Sequence, residues 1–62
     1  MRSTVIQNEV DQLVNRYIAK GENLKDSLIL ADKYLDEKLK NDPMVILFHE
    51  MKKEIQIRHT EI

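Results

Sequence analysis

Residues 6–39, IQNEVDQLVNRYIAKGENLKDSLILADKYLDEKL, decide the fold of this chain. Apolar residues recur in two blocks at intervals of three and four positions, which is the period of an amphipathic helix. The blocks are separated by Gly-Glu-Asn at residues 21–23, and Gly21 is the only glycine in the sequence. Because glycine readily adopts the left-handed conformation that commonly follows a helix, we expect the chain to turn there. The stretch therefore predicts an antiparallel helical hairpin.

The two helices of this hairpin are predicted over residues 4–20 and 24–40. We expect Thr4 and Gln7, which have the spacing of a capping box, to begin the first helix, and Asn23 to cap the second. The predicted core-facing residues are Ile6, Val10, Leu13, Val14, Tyr17 and Ile18 in the first helix, and Leu24, Leu28, Ala31, Leu35 and Leu39 in the second. Two such stripes joined by a short loop should pack side by side.

A third helix is predicted over residues 43–59, because Pro43 suits the first turn of a helix and Asp42 suits its capping position. Its core-facing residues would be Met44, Leu47, Phe48, Met51 and Ile55, with Ile62 continuing the line. Ile46 and Ile57 fall together on the opposite side of this helix. Exposed isoleucines are common on ordinary surfaces, and the alternative is a second contact face for self-association or for a partner helix.

The length of 62 residues predicts a single small all-α domain spanning residues 1–62. A folded chain of this size buries only about 60% of the surface that its unfolded form exposes, so disulfides, a metal or a partner subunit often supplement the core. The sequence has no cysteine, which closes the disulfide route and favours a reducing, cytoplasmic location. A three-helix bundle and a dimer of hairpins satisfy the apolar stripes equally well, and a homo-oligomer is one of the expected states.

Charge and hydropathy exclude several classes of function. Ten Lys and Arg against eleven Asp and Glu give a net charge of -1 with the signs interspersed, which disfavours nucleic-acid binding. The longest apolar run, residues 44–48, is far shorter than the ~18 residues of a membrane span. We therefore expect neither a membrane nor a nucleic acid as partner.

The apparent catalytic and metal motifs are incomplete. His49-Glu50 begins like the zinc-binding His-Glu-x-x-His motif, but Lys53 stands where the second histidine is required. We expect no metal site, and we expect both His49 and His59 to be surface residues. Ser3 and Ser27 have no neighbouring histidine and are interpreted as residues of helix ends.

One polar stripe of the second helix combines charge with a recognisable spacing. Asp32 and Asp36 stand one turn apart, so they share a face with Ile29 and Lys33. The plain interpretation is a solvated edge on which Asp36 pairs with Lys40. The alternative is a polar patch, flanked by Ile29, that is offered to a partner protein.

The order of Ile6, Gly21, Leu35 and Asp36 carries a resemblance to a known family. Residues 6–36 resemble the sporulation-regulatory aspartyl-phosphate phosphatases of spore-forming bacteria, which are short helical hairpins. In that family the first helix begins near an isoleucine and ends at a glycine, and the second helix carries a Ser-x-x-Leu-Asp signature. Leu35 and Asp36 match the end of the signature, whereas Asp32 stands where its serine would be.

The resemblance implies a cytoplasmic regulatory protein of two-component signalling that docks on a response-regulator receiver domain and promotes loss of its aspartyl phosphate. Asp36 is then the catalytic candidate, because such a helper need only orient a water for in-line attack. No cofactor is expected, since any Mg²⁺ would belong to the receiver domain. The alternative is a non-enzymatic helical interaction module, an inhibitor or adaptor that can form a homodimer. The predicted partner-contacting residues are Ile29, Asp32, Lys33, Ile46 and Ile57.

Overall fold

Three α-helices make up the fold. The computed structural model describes residues 2–62, with α1 at Thr4–Ala19, α2 at Leu24–Asn41 and α3 at Ile46–Thr60. Each helix packs against the other two, so the chain is an all-α three-helix bundle. The predicted fold class is confirmed, and α3 closes the core of its own chain. Within residues 2–62, no helix combines the length and the apolar character needed to cross a membrane.

α1 begins at Thr4, as predicted, but its capping residue is Ser3, one position earlier than expected. Ser3, in extended conformation, is the capping residue, and its Oγ accepts a hydrogen bond from the Ile6 N–H at 3.4 Å. The amide side chain of Gln7 donates to the carbonyl oxygen of Arg2 at 3.3 Å. The predicted Thr4–Gln7 capping box is therefore wrong, because Thr4 already has helical geometry and the neighbouring hydroxyl takes the capping position.

The turn between α1 and α2 follows the prediction. Gly21 has a φ of 102°, and its N–H donates to the carbonyl of Ile18 at 3.0 Å, while the Glu22 N–H donates to the carbonyl of Tyr17 at 3.1 Å. These two bonds form a Schellman motif, which satisfies carbonyls left free at the end of α1. Asn23 caps α2, since its Oδ1 accepts from the N–H of Asp26 at 2.8 Å. The confirmed glycine and cap set the start of α2 at Leu24.

The start of α3 contradicts the sequence prediction. The helix begins at Ile46 rather than at residue 43, and Val45 precedes it without a side-chain cap. Asp42 is unable to cap α3 because it ends α2, where its N–H still donates to the carbonyl of Lys38 at 3.0 Å. A ring nitrogen of His49, Nε2, lies 2.8 Å from the Pro43 carbonyl oxygen and links the connecting turn to α3.

The core is built from all three helices. Its buried apolar residues are Val10, Leu13, Val14, Leu28, Ala31, Leu35, Met51 and Ile55, with Ile6, Tyr17, Tyr34 and Phe48 packed around them. All eight buried residues belong to the predicted stripes. Ile18, Leu24, Met44, Leu47 and Ile62 were expected to face the core and are exposed instead. Four of them lie in or beside the connecting turns, and Ile62 follows α3.

Candidate functional site

Lys52 of α3 lies against two carboxylates of α2. Its Nζ donates a hydrogen bond to Oδ1 of Asp36 and lies 3.5 Å from Oδ1 of Asp32. The Asp36 side chain is 51% exposed, whereas those of Asp32 and Lys52 are 25% and 27% exposed. We call these three residues the Asp–Lys cluster. It lies at the surface, where α2 meets α3, and remains accessible to another molecule through Asp36.

The position of the cluster follows from helical spacing on α2. Ile29, Asp32, Lys33 and Asp36 are spaced at i, i+3, i+4 and i+7, so they form one continuous stripe. The predicted pairing of Asp36 with Lys40 is not the one observed, because Lys40 lies 3.6 Å from Glu37 instead. The sequence pattern of α2 does not predict the contact with Lys52, because Lys52 belongs to α3.

The electrostatics of the cluster favour the charged form of Lys52. The hydrogen bond with Asp36, aided by the charge of Asp32, raises the pKa of Lys52 above its ordinary value, although partial burial opposes this. The ammonium group therefore stays protonated at neutral pH and neutralises one of the two carboxylates. The cluster keeps a formal net charge of -1, carried by two carboxylates that stand one helical turn apart.

The other predicted contact residues of α2 lie beside the cluster. Ile29 is 39% exposed, and Lys33 is also on the surface. An exposed aliphatic side chain next to fixed charges is a common composition for a protein contact surface. Ile29, Asp32, Lys33 and Asp36 are therefore brought together by the fold, and we call them the α2 stripe.

Ile46 and Ile57 lie away from the α2 stripe, on the outer side of α3. Ile46 is 74% exposed and Ile57 is 38% exposed. Between them along the helix, Lys53 and Glu50 form an ion pair at 3.2 Å. Ile57 also lines a shallow depression together with Ile6 of α1. The two isoleucines are therefore separate exposed side chains and do not make one continuous apolar patch.

A buried carboxylate, Glu54, was missed by sequence reasoning. Its side chain is only 3% exposed and accepts hydrogen bonds from both Arg2 and Arg58, the Nε distances being 2.9 Å and 2.8 Å. Arg58 also pairs with Asp11 at 2.6 Å and donates to the carbonyl of Gln7 at 3.2 Å. These contacts join the start of α1 to α3, across separations in sequence that no local pattern signals.

The two arginines also set the charge state of Glu54. Hydrogen bonding from Arg2 is the largest influence, and with Arg58 it lowers the pKa of Glu54 to about 2 against the opposing effect of burial. Both carboxylate oxygens of Glu54 are engaged. We therefore assign this network a structural role, since the Glu54 carboxylate is 3% exposed and both of its oxygens already accept hydrogen bonds from arginine.

Among the residues that the structure describes, none encloses a site around Asp36. The depression next to it is lined by Lys33, Asp36, Glu37 and Lys40, which all belong to α2. One helix supplies only one wall, so this surface suits contact with a protein better than enclosure of a small molecule. Within residues 2–62, no three His, Cys, Asp or Glu side chains lie close enough together to hold a metal ion.

Comparisons with protein-family models, with characterised proteins and with solved structures find no match to this chain.

Proposed function

We propose that this chain is a small regulatory protein that acts by docking on another protein, with the α2 stripe as its contact surface. The observation that carries the proposal is the Asp–Lys cluster, in which Lys52 fixes a half-exposed Asp36 on the same stripe as exposed Ile29. Side chains that are already fixed lose less entropy when they are brought into an interface. The same regulatory role includes the non-enzymatic inhibitor or adaptor expected from the sequence.

The composition of the stripe matches what a specific contact needs. Ile29 provides an apolar group that gains from burial, and the carboxylate of Asp36 selects a partner with a donor or positive charge opposite it. Because Lys52 balances part of the negative charge, a partner does not have to neutralise two carboxylates at once. The expected partner is a folded protein with a small apolar patch beside a basic or amide side chain.

The docking surface is tested by affinity capture with the purified chain in a cytoplasmic extract. We expect a captured protein to be lost with Ile29→Asp and retained with Ile46→Asp, a matched change at an exposed isoleucine on α3. Circular dichroism should show unchanged helicity in both variants. Loss with Ile46→Asp and retention with Ile29→Asp would contradict the α2 stripe and indicate the outer side of α3.

A second, more specific function is favoured by the position of Asp36. We propose a response-regulator receiver domain as the partner, with Asp36 promoting hydrolysis of its aspartyl phosphate. Asp36 is the residue that matches the family signature, and it is also the most exposed carboxylate of the cluster. A water oxygen would attack phosphorus while the bond from phosphorus to the receiver's aspartate oxygen breaks, giving inorganic phosphate and a free carboxylate.

In this reaction Asp36 would accept a hydrogen bond from the attacking water and fix its direction. Lys52 would act as a positioning residue by holding Oδ1 of Asp36, and Ile29 and Lys33 would contact the receiver domain. The proton released from water would pass to solvent. Any Mg²⁺ belongs to the receiver domain, so the chain contributes orientation and not a cofactor.

Phosphate loss from a panel of phosphorylated receiver domains tests this second function. We expect the chain to accelerate the loss for at least one receiver and Asp36→Asn to abolish the acceleration, whereas Glu37→Gln, at the neighbouring exposed carboxylate, should preserve it. No acceleration across the panel would contradict the phosphatase function while leaving docking intact. Loss of activity in both variants would contradict the specific role of Asp36.

A further inference from the structure

A small concavity lies between all three helices, on a different side of α2 from the α2 stripe. It has a volume of about 110 Å³, and its lining includes Glu9, Gln12 and Arg16 of α1, Tyr34 of α2, and Leu47 and Phe48 of α3. This is well below the ~300 Å³ of a typical small-molecule site. The concavity has room for one or two side chains of another protein, so it suits a protein partner better than a small molecule.

The residues around this concavity have the layout of an interface. Leu13 and Met51 close its floor with 5% exposure each, whereas Leu47 at its edge is 37% exposed. Phe48 and Tyr34 are partly buried beside it. The apolar centre is bordered by Glu9 and Arg16, and a centre of this kind with a charged rim is typical of protein contacts.

The side of α1 that lines the concavity, which we call the α1 wall, carries opposite charges at its two ends, and this order indicates the partner. Residues 9, 12, 13 and 16 follow the spacing i, i+3, i+4 and i+7, so they share one side of α1. Glu9 and Arg16 stand at its two ends, about 10 Å apart along the axis at 1.5 Å per residue. Within residues 2–62, neither side chain takes part in an ion pair.

We propose that this surface binds a second copy of the chain through a twofold axis that passes beside Gln12 and Leu13. In a twofold dimer, residue i of one protomer contacts residue j of its partner, and j contacts i. Glu9 and Arg16 lie at equal distances from that axis, so each Glu9 faces the Arg16 of the other protomer. Two intermolecular ion pairs form, and contact between the two protomers covers Leu47 and Phe48.

A second copy fits this surface better than an unrelated protein because the wall is complementary to itself. An antiparallel copy of α1 presents Glu9 and Arg16 in the reverse order at the same spacing, so opposite charges face each other at both ends. Dimerisation also supplies the additional buried surface that domains below ~70 residues often need. The inference does not depend on the docking function, because it concerns the side of the bundle away from Asp36.

Sedimentation of charge-reversal variants tests the dimer. Wild-type protein should dimerise in a concentration-dependent manner, and both Glu9→Arg and Arg16→Glu should weaken dimerisation by about 10-fold or more, because each places like charges together twice. An equimolar mixture of the two variants should dimerise again. In that heterodimer the introduced arginine of one chain faces the introduced glutamate of the other, and the unchanged Arg16 faces the unchanged Glu9, so all contacts are again between opposite charges.

Asn8→Arg and Asn15→Glu are the matched controls. These exposed residues are also seven positions apart on α1, but they lie about 100° around the helix from the wall. Both variants should dimerise like wild type. Circular dichroism of every variant should show the wild-type helicity, which separates loss of assembly from loss of folding.

Three results would overturn the proposal. A wild-type protein that stays monomeric up to about 1 mM, which corresponds to only about 4 kcal/mol of binding, has no self-association of consequence, and the concavity is then left to another protein. Folded single variants that dimerise as strongly as wild type would place the dimer contact elsewhere. Single variants that are monomeric but fail to associate when mixed would contradict the pairing of Glu9 with Arg16.

Discussion

Replacing Ser27 by alanine should stabilise the bundle. Ser27 is fully buried in α2, and its Oγ has no hydrogen-bond partner among residues 2–62. Its backbone N–H is already satisfied by the carbonyl of Asn23 at 2.9 Å. A hydroxyl buried without a partner costs about 1–3 kcal/mol in proteins, and alanine has a higher helix propensity than serine by up to ~0.5 kcal/mol.

The expected gain is smaller than the sum of these effects. Removing the hydroxyl oxygen also removes its dispersion contacts with the surrounding core, at about 0.1–0.2 kcal/mol for each pair of atoms. We therefore expect Ser27→Ala to raise the free energy of unfolding by about 1 kcal/mol, which corresponds to about 4–8 °C in Tm for a domain of this size. The sign is informative, since most single substitutions in a core destabilise a protein.

Ser3→Ala provides a control with the same chemical change and the opposite expected sign. The Ser3 hydroxyl is exposed and caps α1 by accepting from the Ile6 N–H at 3.4 Å. Losing this cap should cost about 0.5 kcal/mol, the lower end for capping residues, because the bond is long. Urea and thermal unfolding, followed by far-ultraviolet circular dichroism, measure both variants under identical conditions.

The reasoning on Ser27 is refuted if Ser27→Ala is as stable as wild type or less stable, while Ser3→Ala is destabilised as expected. That result would mean that the hydroxyl is satisfied in solution. The Asn23 carbonyl, one helical turn earlier, is the acceptor that a serine at this position can share with its own N–H.

Three further perturbations test the ion pairs and the turn. Glu54→Gln should lower the free energy of unfolding by about 1.5–3 kcal/mol at neutral pH. Because the pKa of Glu54 is lowered from 4.5 to about 2, the wild-type protein should lose this extra stability as the pH falls from 4.5 towards 2. Urea unfolding of both proteins at each pH measures the difference. Gly21→Ala should lower the free energy of unfolding by about 1–2 kcal/mol, measured by thermal unfolding, because alanine is strained at a φ of 102°. Within residues 2–62, apart from Gly21 and its two chain neighbours, no atom lies within 4 Å of the added Cβ, and Gly21→Asn should cost less. Lys52→Met should lower the free energy of unfolding by about 1 kcal/mol at low ionic strength, because Asp32 and Asp36 are left side by side without a counter-charge. In a double-mutant cycle, adding Asp32→Asn should restore part of this stability. If it restores none, the two carboxylates do not repel each other.

The three helices and their buried faces were predictable because their signals are local. Helical periodicity places apolar residues on one side of a helix regardless of the rest of the chain, and within residues 2–62 every buried apolar residue lies in a predicted stripe. The start of α3 was not predictable in this way. Asp42 and Pro43 are equally acceptable at the start of a helix and in the turn after one, and the choice is made by the N–H of Asp42, which remains bonded within α2.

The α2 stripe was also visible in the sequence, but its partner was not. Asp32 and Asp36 share a face because of helical spacing, whereas Lys52 meets Asp36 from 16 residues away. Arg2 and Glu54 are separated by 52 residues, and nothing in either local sequence indicates that they pair. Ion pairs between elements depend on how the helices are arranged in space, so the charge pattern of a single helix predicts only which groups are available.

The two ionic clusters differ in how much hydrogen-bonding capacity they leave for a partner. Glu54 is 3% exposed and accepts three hydrogen bonds from two arginines, so a ligand could reach it only by breaking contacts that hold α1 against α3. Asp36 is 51% exposed and is held by Lys52 through one oxygen. A carboxylate of this kind is fixed in position but has given up only part of its hydration, so docking at Asp36 costs less desolvation than docking at Glu54. The seam between α2 and α3 is therefore the part of the ionic structure that can stabilise the bundle and still bind another protein.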